Sequence, residues 1–261
     1  MALSTFFKWA GGGVVAVIAL LCLLLQGAYW YGASLLPKEL PQPRREYPAL
    51  ARETLWRTLG GGDAPISARR LNAFSYASLI FESLVPVYLT RGGESLAMPA
   101  DLELVERASS ATRGAIDDAR RARIPSPPPT PGGSNAEALQ QISSDLVFES
   151  SALFIRTSRE WPAERMADIV LDHGGYGRGS ENLEQAARAY FGADVGELTR
   201  DELLSLMTLR YRVVPMDPYC QPEQFRERYT ERIKYVSASG LPSATALSLP
   251  RLKPIDCTRP Q

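Results

Sequence analysis

Between Lys8 and Lys38 the chain carries no charged residue. A helix on the surface of a soluble protein has a polar face as well as an apolar one. An uncharged run of this length therefore belongs in a protein interior or in a bilayer. Gly11-Gly12-Gly13 leads into the apolar run from Val14 to Leu25, and Tyr29-Trp30-Tyr31 follows at the far end. As a helix it is long enough to cross a hydrocarbon core of roughly 30 Å. The aromatic triplet fits an interfacial belt, and Trp9 serves the opposite face. A cleaved signal peptide is the alternative, because Lys8 and the apolar core mimic its first two regions. Tyr31-Gly32-Ala33 is a weak cleavage site and the apolar window is long for a signal. Residues 1–36 are therefore read as an uncleaved, single-pass anchor. Lys8 precedes it, while Lys38, Arg44 and Arg45 follow, so flanking charge alone favours the main domain inside. Large domains behind a first helix often translocate regardless, and an external main domain is expected. Residues 37–66 form a stalk and connector, opened by the stiff Pro37-Lys38-Glu39-Leu40-Pro41-Gln42-Pro43.

Composition narrows the remaining possibilities. With 29 Lys+Arg against 29 Asp+Glu the formal charge is zero, which argues against nucleic acid as a partner. His173 is the single histidine, so metal motifs built on paired histidines are excluded. Three cysteines make neither a disulfide scaffold nor a four-cysteine zinc site, and no metal ligand set is assigned. In an oxidising compartment Cys220 and Cys257 can pair, adding about 3–4 kcal/mol by loop entropy. Two unpaired thiols are the equal alternative. Cys22 falls inside the anchor.

Beyond residue 66 the punctuation is helical. Pro99 opens a segment with Leu102, Val105, Ala108, Thr112, Ile116 and Ala119 on one face. Ser134-Asn135-Ala136-Glu137 is a capping box, followed by the stripe Leu139, Ile142, Leu146 and Leu153. Pro162 suits the first turn of a helix carrying Met166, Ile169 and Val170. Ser180 is expected to cap the next, with Gly192 as its terminator. Thr199 to Glu202 is a second capping box, ahead of Leu203, Leu206 and Met207. Pro222 begins a helix through Phe225, Tyr229 and Val236 that Gly240 closes, and Ser243 starts a short last one. Gly60-Gly61-Gly62 and the proline-rich run Pro125 to Gly133 interrupt the pattern. The expected fold class is all-α.

One carboxylate falls on an apolar stripe. Glu149 divides the seven-residue step from Leu146 to Leu153 into three plus four. An ionised side chain there loses water and gains little, which makes it a cleft-lining acid or proton carrier. The plainer reading puts Glu149 at the stripe's edge, reaching outward or pairing with Arg156. Ser150 and Ser151 add polarity beside it.

Met166-Ala167-Asp168-Ile169-Val170-Leu171-Asp172, Tyr176-Gly177-Arg178-Gly179 and Ala186-Ala187-Arg188-Ala189-Tyr190-Phe191-Gly192 form an ordered set with Leu198-Thr199-Arg200-Asp201-Glu202. This set resembles the bacterial peptidoglycan glycosyltransferases, the membrane-anchored, lysozyme-like domains that polymerise lipid II. Pro215-Met216-Asp217-Pro218-Tyr219 and the helix after it are similar to that family's closing region. The resemblance is good from about Trp161 to Pro254 and thins upstream. It implies a lysozyme-like helical domain over residues 67–254 and a tail over 255–261.

What the resemblance implies for chemistry is uneven. The family's Gly-Gly-Ser-Thr-x-Thr-Gln-Gln motif survives only as Gly133 and Ser134, after Gly132, with Gln140 and Gln141 further on. Glu149 falls where the family keeps its second essential glutamate, but Asp145 and Leu146 replace the basic pair that binds the donor pyrophosphate. The first motif, which supplies the general base, has no counterpart string; Glu94 and Glu82 are the local candidates. Arg113-Gly114-Ala115 is similar to the arginine-bearing helix after that motif, and Tyr176 to the family's aromatic-glycine turn. Arg113 and Tyr176 thus join Gly133, Ser134, Gln140 and Gln141 as substrate-binding candidates. A divalent cation is a cofactor the resemblance allows. Sugar transfer needs a base for the incoming hydroxyl and cations for the departing pyrophosphate. With neither recognisable, the expected function is a binding or accessory module for glycan strands or lipid-linked sugar, with an envelope protein as a further partner. The expected location is the bacterial inner membrane, with the main domain on the periplasmic side. A working glycosyltransferase using Glu94 or Glu82 as base and Glu149 as electrostatic partner is the alternative.

Overall fold

The computed structural model describes residues 2–89, 98–123, 136–210, 216–236 and 247–258, with backbone alone for 2–15, 83–89, 123, 136–144 and 234–236. Among the described residues all regular structure is helical, as expected. The chain divides into two compact units. The first takes residues 1–40, 70–96 and 126–159; the second takes 41–69, 97–125 and 160–261.

Three helices build the first unit: α1 (Ala2–Ser34), α3 (Ala73–Leu89) and α5 (Ala136–Glu160). Within the uncharged run, Ala16–Leu35 is long and apolar enough to span a membrane, and little of it is covered by the protein. Helices α1 and α5 touch backbone to backbone at Gly32, where any Cβ would collide with the Phe148 carbonyl. Beside that contact the Tyr31 ring meets Phe148 edge-on at 5.6 Å, and Tyr31 Oη donates to Asp145 Oδ1 at 2.8 Å. Further along, Arg156 donates to the carbonyls of Pro37 and Lys38 at 2.8 and 2.9 Å, so α5 grips the start of the proline-rich stretch. Helix α3 is fastened by Tyr76 against Phe154 and by the Leu71 N–H donating to Ser158 Oγ.

The stripe predicted for α5 is corrected in one place. Leu153 is buried, but Leu146 is 43% exposed, and it is Glu149 that turns inward. The buried face runs through Glu149, Ala152, Leu153 and Ile155, while the turn before Glu149 carries the exposed trio Leu146, Val147 and Phe148. Leu139 and Ile142 have described backbone only, and Ser134 and Asn135 of the expected capping box lie outside the described residues.

The second unit holds α2 (Ala49–Thr58), α4 (Ala100–Arg123), α6 (Ala163–Asp172), α7 (Leu183–Phe191), a single 3-10 turn (Val195–Glu197), α8 (Arg200–Leu209) and α9 (Pro222–Val236). Helix α4 buries Leu102, Val105, Ala108, Thr112 and Ile116 as its periodicity predicts, but Ala119 is exposed in the last turns. Helix α6 follows Pro162 and is buried from Met166 to Asp172. The cap of α7 is a correction. Asn182, two residues after Ser180, accepts from the Gln185 N–H. Ser180 closes the preceding turn instead, its N–H donating to Gly177 O at 2.9 Å. An Asn side chain accepts a backbone N–H as well as a serine does, so sequence did not separate the two. Gly192 terminates α7 at φ 67°, and Thr199 with Glu202 forms the reciprocal box at the start of α8. Helix α9 runs from Pro222 to Val236 and buries Phe225 and Tyr229. Gly240, Ser243 and the proline-rich run from Pro125 to Gly133 lie outside the described residues.

The carboxyl-terminal stretch is stapled onto this unit. Cys220 and Cys257 are bridged. Arg251 pairs with buried Glu202, and the Lys253 N–H donates to Tyr190 O at 2.7 Å.

Candidate binding groove

Two carboxylates on α6 build the floor of the second unit. Asp168 and Asp172 are four residues apart, on one face, and both are buried. Asp168 Oδ1 accepts from the Tyr47 N–H at 3.0 Å and both its oxygens bind the Arg52 guanidinium, at 2.7 and 2.8 Å. Asp172 accepts from the Arg44 N–H at 2.8 Å and from Tyr47 Oη at 3.3 Å. Burial, then the neighbouring Asp172 carboxylate, pushes the Tyr47 phenol far above its ordinary range, so it acts as a donor at every physiological pH. These bonds bring the segment around Arg44 over the carboxyl end of α6.

There the unit opens into a groove of about 680 Å³. Helix α4 contributes Arg107, Ser110, Ala111, Gly114 and Asp118, which share one helical face. The turn after α6 contributes Asp172, His173, Gly174 and Gly175, and Arg44, Glu181 and Arg210 complete the lining. Arg107 is set by Glu103, which accepts its Nε at 2.8 Å. Arg210 caps α8, donates to His173 O at 3.1 Å, and passes so close to Gly174 that a side chain there would displace it. Asp118 pairs with Arg121 at 2.6 Å. Burial holds the His173 imidazole below its usual range despite the nearby Asp172, so it lines the groove uncharged at pH 7.

The lining thus balances three guanidinium groups with three carboxylates. Such a wall offers directional donors and acceptors without a net field, which suits hydroxyl and amide groups better than a polyanion. Among the described residues no group of three or more His, Cys, Asp or Glu side chains is placed to hold a metal ion.

The residues singled out from sequence fall in several places. Glu149 is buried on α5 and Glu82 is exposed on α3, where Ser78 Oγ donates to it at 3.0 Å; both belong to the first unit. Gln140 and Gln141 stand in α5 with backbone alone described, and Glu94, Gly133 and Ser134 lie outside the described residues. Arg113 is half-buried on α4, next to Gly114 of the groove but not in its lining. Tyr176 is wholly buried: its hydroxyl donates to Leu171 O at 3.2 Å and its carbonyl accepts from Tyr190 Oη at 2.9 Å. It therefore braces the turn that presents Gly174 and Gly175. Sequence reasoning missed Asp168 and Asp172, although two acids at i and i+4 in the otherwise apolar stretch from Met166 to Asp172 were a usable signal.

Two further buried acids fix how this unit responds to pH. Burial alone would raise the carboxyl of Glu202, but Arg251 and the Thr199 N–H and hydroxyl outweigh it and hold it low. Asp217 is likewise held low against its burial by Arg178 and the N–H groups of Tyr219 and Cys220. A depressed carboxyl stabilises the fold above its unfolded value, near 4, and that contribution is lost as pH falls through the lower folded value. The contribution of these two carboxyls to thermal stability should accordingly stay level above about pH 5 and fall steeply below pH 4. Glu202→Gln should lower it at neutral pH and flatten the acid limb, as a melting series against pH would record.

Compared with known proteins, the sequence matches no family model and no curated protein.

Proposed function

We propose that this chain is a membrane-anchored module of the bacterial cell envelope, built on a peptidoglycan-glycosyltransferase-like, lysozyme-like helical domain, that binds glycan strands or lipid-linked sugar with little or no turnover. The observation that carries this reading is the charge-balanced groove, whose walls present planar guanidinium and carboxylate groups to a polyhydroxyl chain. Of its acids, Asp172 is committed to the wall, taking the Arg44 N–H and the Tyr47 hydroxyl, and Asp118 pairs with Arg121 on its own helix. A general base has to be available to the incoming hydroxyl, and a base so placed contributes about 10²–10⁴-fold. The Cys220–Cys257 bridge suits an oxidising compartment, which supports a main domain on the periplasmic side of the inner membrane. An envelope protein that shares the glycan is a natural partner.

Titrating the full chain in detergent with soluble, uncross-linked glycan strands tests the binding half. Saturable binding is expected, weakened about tenfold or more in Arg107→Ala because a hydrogen bond to a charged group is lost. Strands that do not bind, or bind Arg107→Ala equally well, count against the groove. The alternative, an active polymerase with Glu149 as electrostatic partner and Glu82 or Glu94 as base, is favoured by the burial of Glu149 on the inner face of α5.

A further inference from the structure

The first unit presents large apolar side chains on two helices beyond the anchor. On α3 these are Phe74, Ile80 and Phe81, the last 68% exposed; on α5 they are Val147, 62% exposed, and Phe148. Scattered apolar residues on a surface need no explanation, but a continuous patch marks an interaction face. A second observation fixes the depth of this one. An apolar cavity of about 160 Å³ is walled jointly by Leu25 and Tyr29 of α1, Tyr76 and Ile80 of α3, and Val147 of α5. Leu25 stands near the middle of Ala16–Leu35. Counting back from Leu35 at the helical rise, it lies about 15 Å inside the span, half of a hydrocarbon core of roughly 30 Å. Ile80 and Val147 share a cavity with it. A bilayer that accepts Ala16–Leu35 must therefore meet them as well.

We infer that α3 and the adjoining turns of α5 insert beside α1 into the leaflet that holds its Leu35 end, so that lipid acyl chains cover this apolar face. The inference depends on α1 being the membrane anchor, and it extends that reading from one helix to a three-helix insertion. The backbone permits it for most of its length, since helices satisfy their own N–H and C=O groups; the exception is the Glu82 carbonyl, whose i+4 donor is missing at Pro86. The composition of α3 permits it too: Glu82 is the one charged residue from Ala73 to Leu89. That carboxylate opposes burial in lipid, and its hydrogen bond from Ser78 Oγ supplies one local donor. The polar boundary is set elsewhere in the same unit. Arg156 binds the carbonyls of Pro37 and Lys38 just past the end of the span, where α5 leaves the leaflet.

The test uses the full chain in vesicles of phosphatidylethanolamine and phosphatidylglycerol, with the Cys220–Cys257 bridge left oxidised. An environment-sensitive fluorophore is placed on native Cys22 within the span. It is placed separately on Ile80→Cys and Val147→Cys in a Cys22→Ala background, and on Arg226→Cys as an exposed control on α9. Lipids carrying a quencher on the acyl chain should quench positions 80 and 147 as strongly as Cys22, and leave position 226 bright. Strong quenching at Cys22 with 80 and 147 behaving like 226 overturns the insertion while the anchor stands. Failure at Cys22 as well overturns both. Cross-linking between copies through position 80, without lipid quenching there, assigns the face to a second copy and also counts against insertion.

Discussion

Arg178→Met is expected to destabilise the second unit by about 3–5 kcal/mol, the range for removing one partner of a buried pair. The side chain of Arg178 is only 5% exposed. Its Nε and Nη2 bind Asp217 at 2.6 and 2.9 Å, and its Nη1 donates to the carbonyls of Ala189 and Lys253. The guanidinium also lies 4.2 Å from the centre of the Tyr190 ring. Truncation leaves the Asp217 carboxylate buried, and it cuts a tie between α7 and the carboxyl-terminal stretch. Arg178→Lys should recover little, because an ammonium cannot reproduce the two-pronged contact. Melting of the full chain should fall by on the order of 10 °C for a domain of this size. Arg178→Met combined with Asp217→Leu should melt higher than Arg178→Met alone, since the orphaned charge is gone. A melting point unchanged in Arg178→Met contradicts this account of the unit's interior.

Breaking the bridge between Cys220 and Cys257 is the second large effect. The two residues are separated by 37 positions, for which loop entropy gives about 3–4 kcal/mol. The bridge closes a stretch that is otherwise held by Arg251 on Glu202 and by the Lys253 N–H on Tyr190 O. A reducing agent should lower the melting point of the natural chain and leave that of Cys220→Ser/Cys257→Ser unchanged. Equal sensitivity of both proteins to reductant contradicts the bridge, because Cys22 is the one thiol they would then share.

Local chemistry was the legible part of this chain. Thr199 and Glu202, Pro162, Gly192 and Pro222 sit where their caps and turns predict, because each acts on backbone groups within a few residues. The uncharged run likewise became a helix able to span a membrane. Ser180 misled because the competing acceptor, Asn182, stands two residues away and has equal capping strength. Leu146 misled for a different reason: periodicity names a face, but the end of that face is set by where neighbouring helices stop. The groove was illegible for the strongest reason. Its wall joins Arg44, Arg107, His173 and Arg210, residues brought together only by tertiary contacts: α4 packs on α6, the Arg44 N–H binds Asp172, and Arg210 binds the His173 carbonyl. No spacing along the sequence records that meeting, and the glutamates that sequence did single out lie in the other unit or outside the described residues.

Whether this protein holds sugar or polymerises it is decided by incubating the full chain, in a lipid bilayer, with lipid II and magnesium and separating the products by size. The account predicts lipid II recovered intact, retained on the natural chain and released from Arg107→Ala. Glycan polymer that forms with the natural chain and disappears in Glu149→Gln would contradict it, and would transfer the chemistry from the groove to α5.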